Sequence, residues 1–426
     1  MSIVSMFFLS AVLMLVLGLP IGVTIGGASL LYILSSGMQE MVSIQKLFAG
    51  VNTVALLAIP FFVLAGDLMN TGGIAKRLVR LANAHLGHKT GGLATIAILG
   101  CMFFAAISGS GVATAAAIGS IMIPAMINKG YDKGFSCGVV ASASPIGVVI
   151  PPSISFVVYG VLTGTSIADM YKAGIPAGII MGVALLITAY FISKKNGYRG
   201  EIISSDPVVV KQERNTALKE ALWSLGTPLI LVGGVFGGIF TPTESAVVAV
   251  AYAIVVGIFI HKDMKWKDLP PIFLRSAKTA ASILFIIANA SLFAYVLTYE
   301  KIPQTIVAGL LSITENKFLL LLIINFVLLV AGTFMETSAI LIIMVPLLMP
   351  IIDKMGMNMV HFGIMMCVNT AIGMLTPPFG VCLFTTARVG GVAVEELSKK
   401  VGWFLLALVV ALLIITYFPS LVMFMV

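Results

Sequence analysis

Gly147-Val148-Val149-Ile150-Pro151-Pro152 and Gly373-Met374-Leu375-Thr376-Pro377-Pro378 decide the fold of this chain. Each stands inside an apolar stretch. Neither can continue a regular helix, because proline lacks the N–H the helical ladder needs and its ring clashes with the preceding turn. Both stretches therefore break and expose backbone carbonyls. In hydrocarbon such groups survive only where they are buried in protein or line a polar site, and broken helices in corresponding halves point to the ion and substrate site of a secondary transporter.

The rest of the chain agrees with a membrane setting. Of 426 residues, 59% are hydrophobic and 10% charged, and the mean hydropathy is +1.11, which indicates an all-α polytopic membrane protein. Apolar stretches recur from residue 3 to 424, and Pro20 matches Pro242 and Pro124 matches Pro346 at an offset of 222, while the double prolines match at 226. Two repeats follow, 1–195 and 221–426, joined by a polar cytoplasmic linker over 196–220. The apolar N-terminus has its first basic residue at Lys46, so it lacks the basic start of a cleavable signal peptide and is expected to stay in the mature protein.

Before each break, two apolar stretches are joined by almost nothing polar: Ser108-Gly109-Ser110-Gly111 in the first half and Gly332-Thr333-Phe334-Met335-Glu336-Thr337 in the second. Each pair reads as a re-entrant hairpin whose tip stops inside the membrane, with two short full spans as the alternative. With ten spans and two hairpins, one side collects 20 of the 25 lysines and arginines and is therefore cytoplasmic. Both termini then face outward, and the halves are inverted relative to each other. The net charge of +8 is explained by this orientation and does not imply a nucleic acid partner.

A hard monovalent cation such as sodium is held by several uncharged oxygens. The first site would use the hydroxyls of Ser108 and Ser110 with the carbonyls of Gly147, Ile150 and Pro152. The second would use Gly332 and Thr333 at the tip, Thr370 before the break, and Gly373, Thr376 and Pro378 within it. The bland alternative is that these are packing glycines and kinking prolines of ordinary membrane helices. Glu336, an acid at the second tip, is expected to hold the cation, carry a proton or orient the substrate network, or else to cap the second hairpin helix. Asp67 and Glu244, near helix ends, read as solvated or capping groups. Ser153, Ser155, Thr163, Thr165 and Ser166 after the first break, and Thr385, Thr386 and Arg388 after the second, suit an anionic, hydroxyl-rich substrate, though each alone is more often a helix-packing group.

Two amphipathic stretches, 74–86 and 302–313, each precede a hairpin and read as interfacial helices linking a mobile part to a fixed one, or as surface connectors. Four scattered cysteines without a C-x-x-C spacing suggest packing. No H-E-x-x-H motif is present and the four histidines fall at segment ends, so an intramembrane enzyme is poorly supported; neither a transition metal nor a cofactor is expected. A passive channel would not need two inverted copies of an ion-ligating break.

Ser108-Gly109-Ser110-Gly111-Val112-Ala113-Thr114-Ala115, Ala143-Ser144-Pro145-Ile146-Gly147-Val148-Val149-Ile150-Pro151-Pro152, Thr241-Pro242-Thr243-Glu244 and Thr376-Pro377-Pro378 together resemble the large membrane subunit of tripartite ATP-independent periplasmic (TRAP) transporters, and the similarity covers essentially the whole chain. The resemblance implies a bacterial inner-membrane importer driven by sodium, in which a transport domain carrying both hairpins and both broken helices slides as an elevator against a scaffold. It implies two partners, a small four-helix membrane subunit and a soluble periplasmic substrate-binding protein; the small subunit is expected on a separate chain. It carries sodium ligation onto Ser108, Gly147, Ile150 and Pro152, and onto Gly332, Gly373, Thr376 and Pro378. The tip acid falls on Glu336 and the substrate hydroxyls on Ser110, Ser155 and Ser166. The expected substrate is an organic acid, with the sialic-acid branch most similar; the alternative is a stand-alone sodium and anion symporter for dicarboxylates.

Overall fold

The computed structural model describes residues 3–198, 200 and 206–426, and every regular element in them is helical. In chain order these are α1 (Ile3–Val16), α2 (Ile21–Ser35), α3 (Met41–Val51), α4 (Ala58–Thr71), α5 (Ile74–Leu86), α6 (Gly92–Ser108), α7 (Gly111–Asn128), α8 (Lys133–Ala143), α9 (Ile154–Thr163) and α10 (Ile167–Lys195). After the polar stretch come α11 (Pro207–Pro228), α12 (Pro242–Val255), α13 (Leu269–Tyr299), α14 (Ile302–Ile313), α15 (Lys317–Phe334), α16 (Thr337–Lys354), α17 (Met359–Gly373), α18 (Val381–Gly390) and α19 (Val394–Tyr417). Eight helices are long and apolar enough to cross a membrane. The chain is a polytopic helical membrane protein.

The helix starts follow from local chemistry. Side chains of Ser110, Asp132, Ser153, Ser166, Asn316 and Asn358 each accept a backbone N–H in the first turn of the helix that follows. Thr241 and Glu244 form a reciprocal capping box at α12, with Thr241 N donating to Glu244 Oε2 at 2.8 Å, so capping is the role of Glu244.

Two groups of helices can be told apart, and they meet where α4 lies on α6 and α13 on α16. In one, α13 is the common neighbour of α2, α3 and α4, and α4 also lies on α12. In the other, α6 and α7 form one hairpin, α15 and α16 the other, and α10 and α19 flank the broken helices. The second group is cross-braced, because α7 packs on α18 of the other half while α16 packs on α9. The stretches 74–86 and 302–313 are helices as expected, and α5 lies on α6 just as α14 lies on α16.

Three features differ from the sequence reading. The stretch read as a linker is helical from Pro207, and α11 uses its acids to hold α5: Arg80 bonds Glu213 at 3.1 Å and Glu220 at 2.6 Å. Part of that stretch, 201–205 and Arg199, lies outside the described residues. Helix α3 went unpredicted because only eleven residues long, with polar Ser43, Gln45 and Lys46 in it, it lacks the continuous apolar run of a span. Asp67 caps no helix; partly exposed, it ties α4 to α13 by bonds to Arg275 at 3.2 Å and Ser276 Oγ at 2.6 Å, partners the sequence reading did not name.

Candidate functional site

The first break begins where α8 tightens into a 3₁₀ turn at Ser144–Val148, passes through a cis Pro151–Pro152 bond, and restarts as α9. Ser153 fastens the restart: its hydroxyl donates to Val148 O at 2.7 Å and accepts from Phe156 N. Across from it lies the turn between α6 and α7. Gly109 there has φ +62°, and a Cβ on it would stand 2.8 Å from Pro152 O, so both the conformation and the close approach require glycine. The turn is seated on the break.

A chain of hydroxyls runs through this contact. Ser108 Oγ is 3.0 Å from Thr114 Oγ1, and Thr114 Oγ1 donates to Ser110 O at 2.8 Å. Gly147 closes the space, since a Cβ there would meet Ser110 O and Thr114 Oγ1, each at 2.7 Å. The carbonyls of Gly147, Ile150 and Pro152 receive no hydrogen bond from a protein donor among the described residues. Three carbonyls without a protein donor and a hydroxyl chain therefore lie along this buried break and the turn seated on it, and uncharged oxygens of this kind are what a small cation needs. Ser110 lies here as well, its side chain spent on the cap of α7.

The second break is built differently. Its turn seats backbone on backbone: a Cβ on Gly373 would stand 2.4 Å from Gly332 Cα, and one on Gly332 would stand 2.8 Å from Gly373 Cα. The hydroxyls of Thr333, Thr370 and Thr376 all donate to carbonyls of their own helices, at 2.8, 2.8 and 2.9 Å, which leaves their lone pairs as the available groups. Gly373 O already accepts Thr376 N at 2.9 Å, while Pro378 O receives no donor among the described residues. Gly332, Thr333, Thr370, Gly373, Thr376 and Pro378 are thus brought together. Glu336 sits at the start of α16 without a side-chain capping bond, and it is exposed.

The remaining substrate candidates separate. Ser155 is buried in the first turn of α9. Ser166, at the start of α10, is at the far end of α9, about 15 Å along the chain axis from the break. There it lines an open cavity of about 340 Å³ with Thr165, Ala55 and Pro242, between the two helix groups. Arg388 is exposed in the last turn of α18 beside Val389, which touches Gly119 in the middle of α7, so it lies about 12 Å from the tips along that helix and is not brought to them.

Several residues escaped the sequence reading. Met374 joins the two tips: its Cε would be 3.4 Å from a Cβ on Gly111, and its Sδ is 3.4 Å from Thr337 Oγ1. Cys382 Sγ would stand 3.1 Å from the same Cβ on Gly111. Gly66 of α4 faces the first tip from the other helix group, where a Cβ would stand 3.3 Å from Ser108 Cα. A buried amide chain locks the second hairpin: Asn369 Nδ2 donates to Asn325 O and Oδ1, both at 2.8 Å, and Asn325 Nδ2 donates to Thr416 Oγ1 at 3.1 Å. Asparagines inside apolar runs were the available signal, since such groups are bonded across helices.

Against known proteins, residues 8–421 match the family model described as tripartite ATP-independent periplasmic transporter, DctM component. The chain is 43% identical over 375 residues to the C4-dicarboxylate TRAP transporter large permease protein DctM of Pseudomonas aeruginosa, covering 88% of this chain and 87% of that one. It is 43% identical over 418 residues to the isethionate TRAP transporter permease protein DctMQ of Oleidesulfovibrio alaskensis, covering 97% of this chain but spanning only 64% of that protein's length. The sialic acid TRAP transporter large permease protein SiaM of Vibrio cholerae is 36% identical over 404 residues, 95% of this chain and 93% of that one. Among solved structures, the YdaH transporter of Alcanivorax borkumensis shares the fold at a TM-score of 0.56 and 13% identity, covering 85% of this chain and 86% of that one. With a family model matched over nearly its full length and relatives of this similarity, the chain belongs to the DctM family, the large membrane component of tripartite ATP-independent periplasmic transporters.

Proposed function

We propose that this chain is the substrate-translocating subunit of a sodium-coupled importer of a small organic anion in a bacterial inner membrane. One observation carries the reading: two hairpin turns each press on a proline-broken helix, and carbonyls at both contacts lack protein donors. Sodium would be held at the first contact by Ser108, Gly147, Ile150 and Pro152, and at the second by Gly332, Gly373, Thr376 and Pro378, with Glu336 beside the second. Sodium is a transported ion here, so binding must be strong enough to select it and weak enough to release it.

The division into two helix groups supports an elevator. The group holding both breaks would move, the group around α13 would stay, and α5 and α14 would be the linking arms. Positive-inside charge favours outward-facing termini and inverted halves. The family's tripartite name supports two partners, a small membrane subunit and a soluble substrate-binding protein outside the membrane. The named substrates of the relatives are all organic anions. Isethionate and C4-dicarboxylates belong to relatives at 43% identity, and sialic acid to one at 36%, so the first two lead the order of testing.

The experiment is reconstitution in liposomes with the small membrane subunit, with and without the cognate binding protein, offering isethionate, succinate and N-acetylneuraminate in turn under a sodium gradient. Uptake of one anion that needs both sodium and the binding protein is expected. Equal uptake with potassium in place of sodium refutes the coupling, and strong uptake by this chain without partners refutes the tripartite reading in favour of a stand-alone symporter.

A further inference from the structure

A sizeable groove lies away from the breaks. It holds about 530 Å³ on the outer side of the mobile group, between α10 and α19. Half-buried Ala184 and Ala407 contribute small side chains to it, and Phe191 and Trp403 stand up beside them at 64% and 69% exposure. Thr188 also lines it, but its hydroxyl donates to Ala184 O at 2.8 Å, so the groove wall presents no unmet polar group there. Along its axis the lining runs from Ala184 to Lys195, about 16 Å at helical rise, which is close to half the thickness of a bilayer's hydrocarbon core.

Charge is confined to one end. Lys195 lines the groove from the last turn of α10, next to exposed Lys194. Lys399 lies one turn before Trp403 on α19 and therefore on the same helix face, above the same mouth. Lys400 is directed elsewhere, held by Asp132 at 3.0 Å. Glu395 and Glu396, in the first turn of α19, lie a further turn out from the apolar channel. An apolar slot one leaflet deep, ending in lysines and flanked by an indole, matches an acyl chain below a negatively charged headgroup.

We propose that this groove is a binding site for an anionic glycerophospholipid, with an acyl chain between Phe191 and Trp403 and the phosphate at Lys195 and Lys399. The site lies on the moving group, so the lipid would travel with it. Headgroup selectivity separates this site from ordinary lipid contact, since apolar helix faces take any acyl chain, whereas two lysines at the mouth favour negative charge by about fivefold each.

The full chain is purified with W223F and W266F, so that Trp403 is the sole indole, and reconstituted in phosphatidylcholine vesicles. Brominated phosphatidylglycerol or brominated phosphatidylcholine is then added as a quencher. Half-maximal quenching of Trp403 is expected at about a twenty-five-fold lower mole fraction of the glycerol lipid, about fivefold for each of the two lysines. K195A with K399A should bring the two lipids within about twofold while both still quench, and K195E with K399E should reverse the order. Equal quenching by both lipids in the parent protein overturns the proposal. So does absence of quenching by either lipid, which would mean that a protein segment fills the groove.

Discussion

The two hairpin tips do the same structural job with different chemistry. The first is closed: Ser108, Gly109 and Gly111 are buried, Pro151 and Pro152 are buried beneath them, and Gly66 of the other helix group covers Ser108. The second is open, with Glu336, Pro378 and Phe379 exposed and Phe334 leaning against Phe379 at 5.4 Å between ring centres. The first is held by hydroxyls that can rotate, the second by two glycine backbones that cannot. The second contact is thus the exposed one of the two, and the first is covered by the neighbouring helices.

The largest effect should come from the contact with no slack. Gly373→Ala places a methyl 2.4 Å from Gly332 Cα, and no side-chain rotation relieves it. Overpacking against backbone costs at least a few kcal/mol, so sodium-driven uptake should fall by about a hundredfold or more at normal membrane abundance. Uptake near the parent level in liposomes would show that the two turns need not touch during transport.

Ser108→Ala tests the hydroxyl side. It removes the link to Thr114 but leaves every backbone acceptor in position. A hydrogen bond or ligand to a charged group is worth about 1.5–3 kcal/mol, so the sodium concentration for half-maximal uptake should rise about ten- to hundredfold with the maximal rate less affected. An unchanged sodium dependence removes Ser108 from the ligand set.

The contrast in burial has its own readout. With the four native cysteines replaced by serine or alanine, Phe379→Cys should react with a membrane-impermeant maleimide at least about tenfold faster than Ser108→Cys, because reaction at the closed tip requires local opening. Equal rates at saturating reagent would mean that the first tip opens as readily as the second.

How much of this was legible beforehand depends on whether a residue acts through its own backbone or through a distant neighbour. Pro151, Pro152, Pro377 and Pro378 announce the breaks because proline's constraint is local, and Ser110, Asp132, Ser153 and Asn358 announce helix starts for the same reason. Gly66 carries no local signal, since its partner Ser108 is 42 residues away in a different helix group. Arg388 and Ser166 follow the breaks in sequence, yet one turn-forming break followed by ten residues of helix carries each away from the tips. The partners of Asp67 were not legible, because its proximity to a helix end is visible in sequence while Arg275 and Ser276 are not.

Glu336 probes whether the open tip uses charge. Its side chain makes no capping bond, and Glu336→Gln keeps the size and one acceptor oxygen while it turns the other into an amide donor and deletes the negative charge. A three- to tenfold loss of uptake is expected (~3–10), with sodium affinity measured alongside to tell ion attraction from substrate orientation. Full activity with unaltered sodium affinity would leave Glu336 a structural residue.

The smallest effect belongs to the arms, where the halves also differ. Helix α5 is pinned to α11 by Arg80 with Glu213 and Glu220 and by Arg214 Nε donating to Ala84 O at 3.1 Å, and to the connection between α12 and α13 by Arg77 with Asp263. Its counterpart α14 carries no charged residue at all and rests on α16 by apolar packing. The first arm is therefore the better candidate for a fixed hinge and the second for a sliding one. Arg80 is 42% exposed, and ion pairs that wet are screened, each contributing little. Arg80→Ala should lower the melting temperature in detergent by about 1 to 2 °C and leave uptake within about twofold, because Arg77 and Arg214 still hold the helix. A larger loss of transport than of stability in that variant would show that the polar clamp on α5 sets the geometry of movement, and the arms would then differ in mechanism as well as in chemistry.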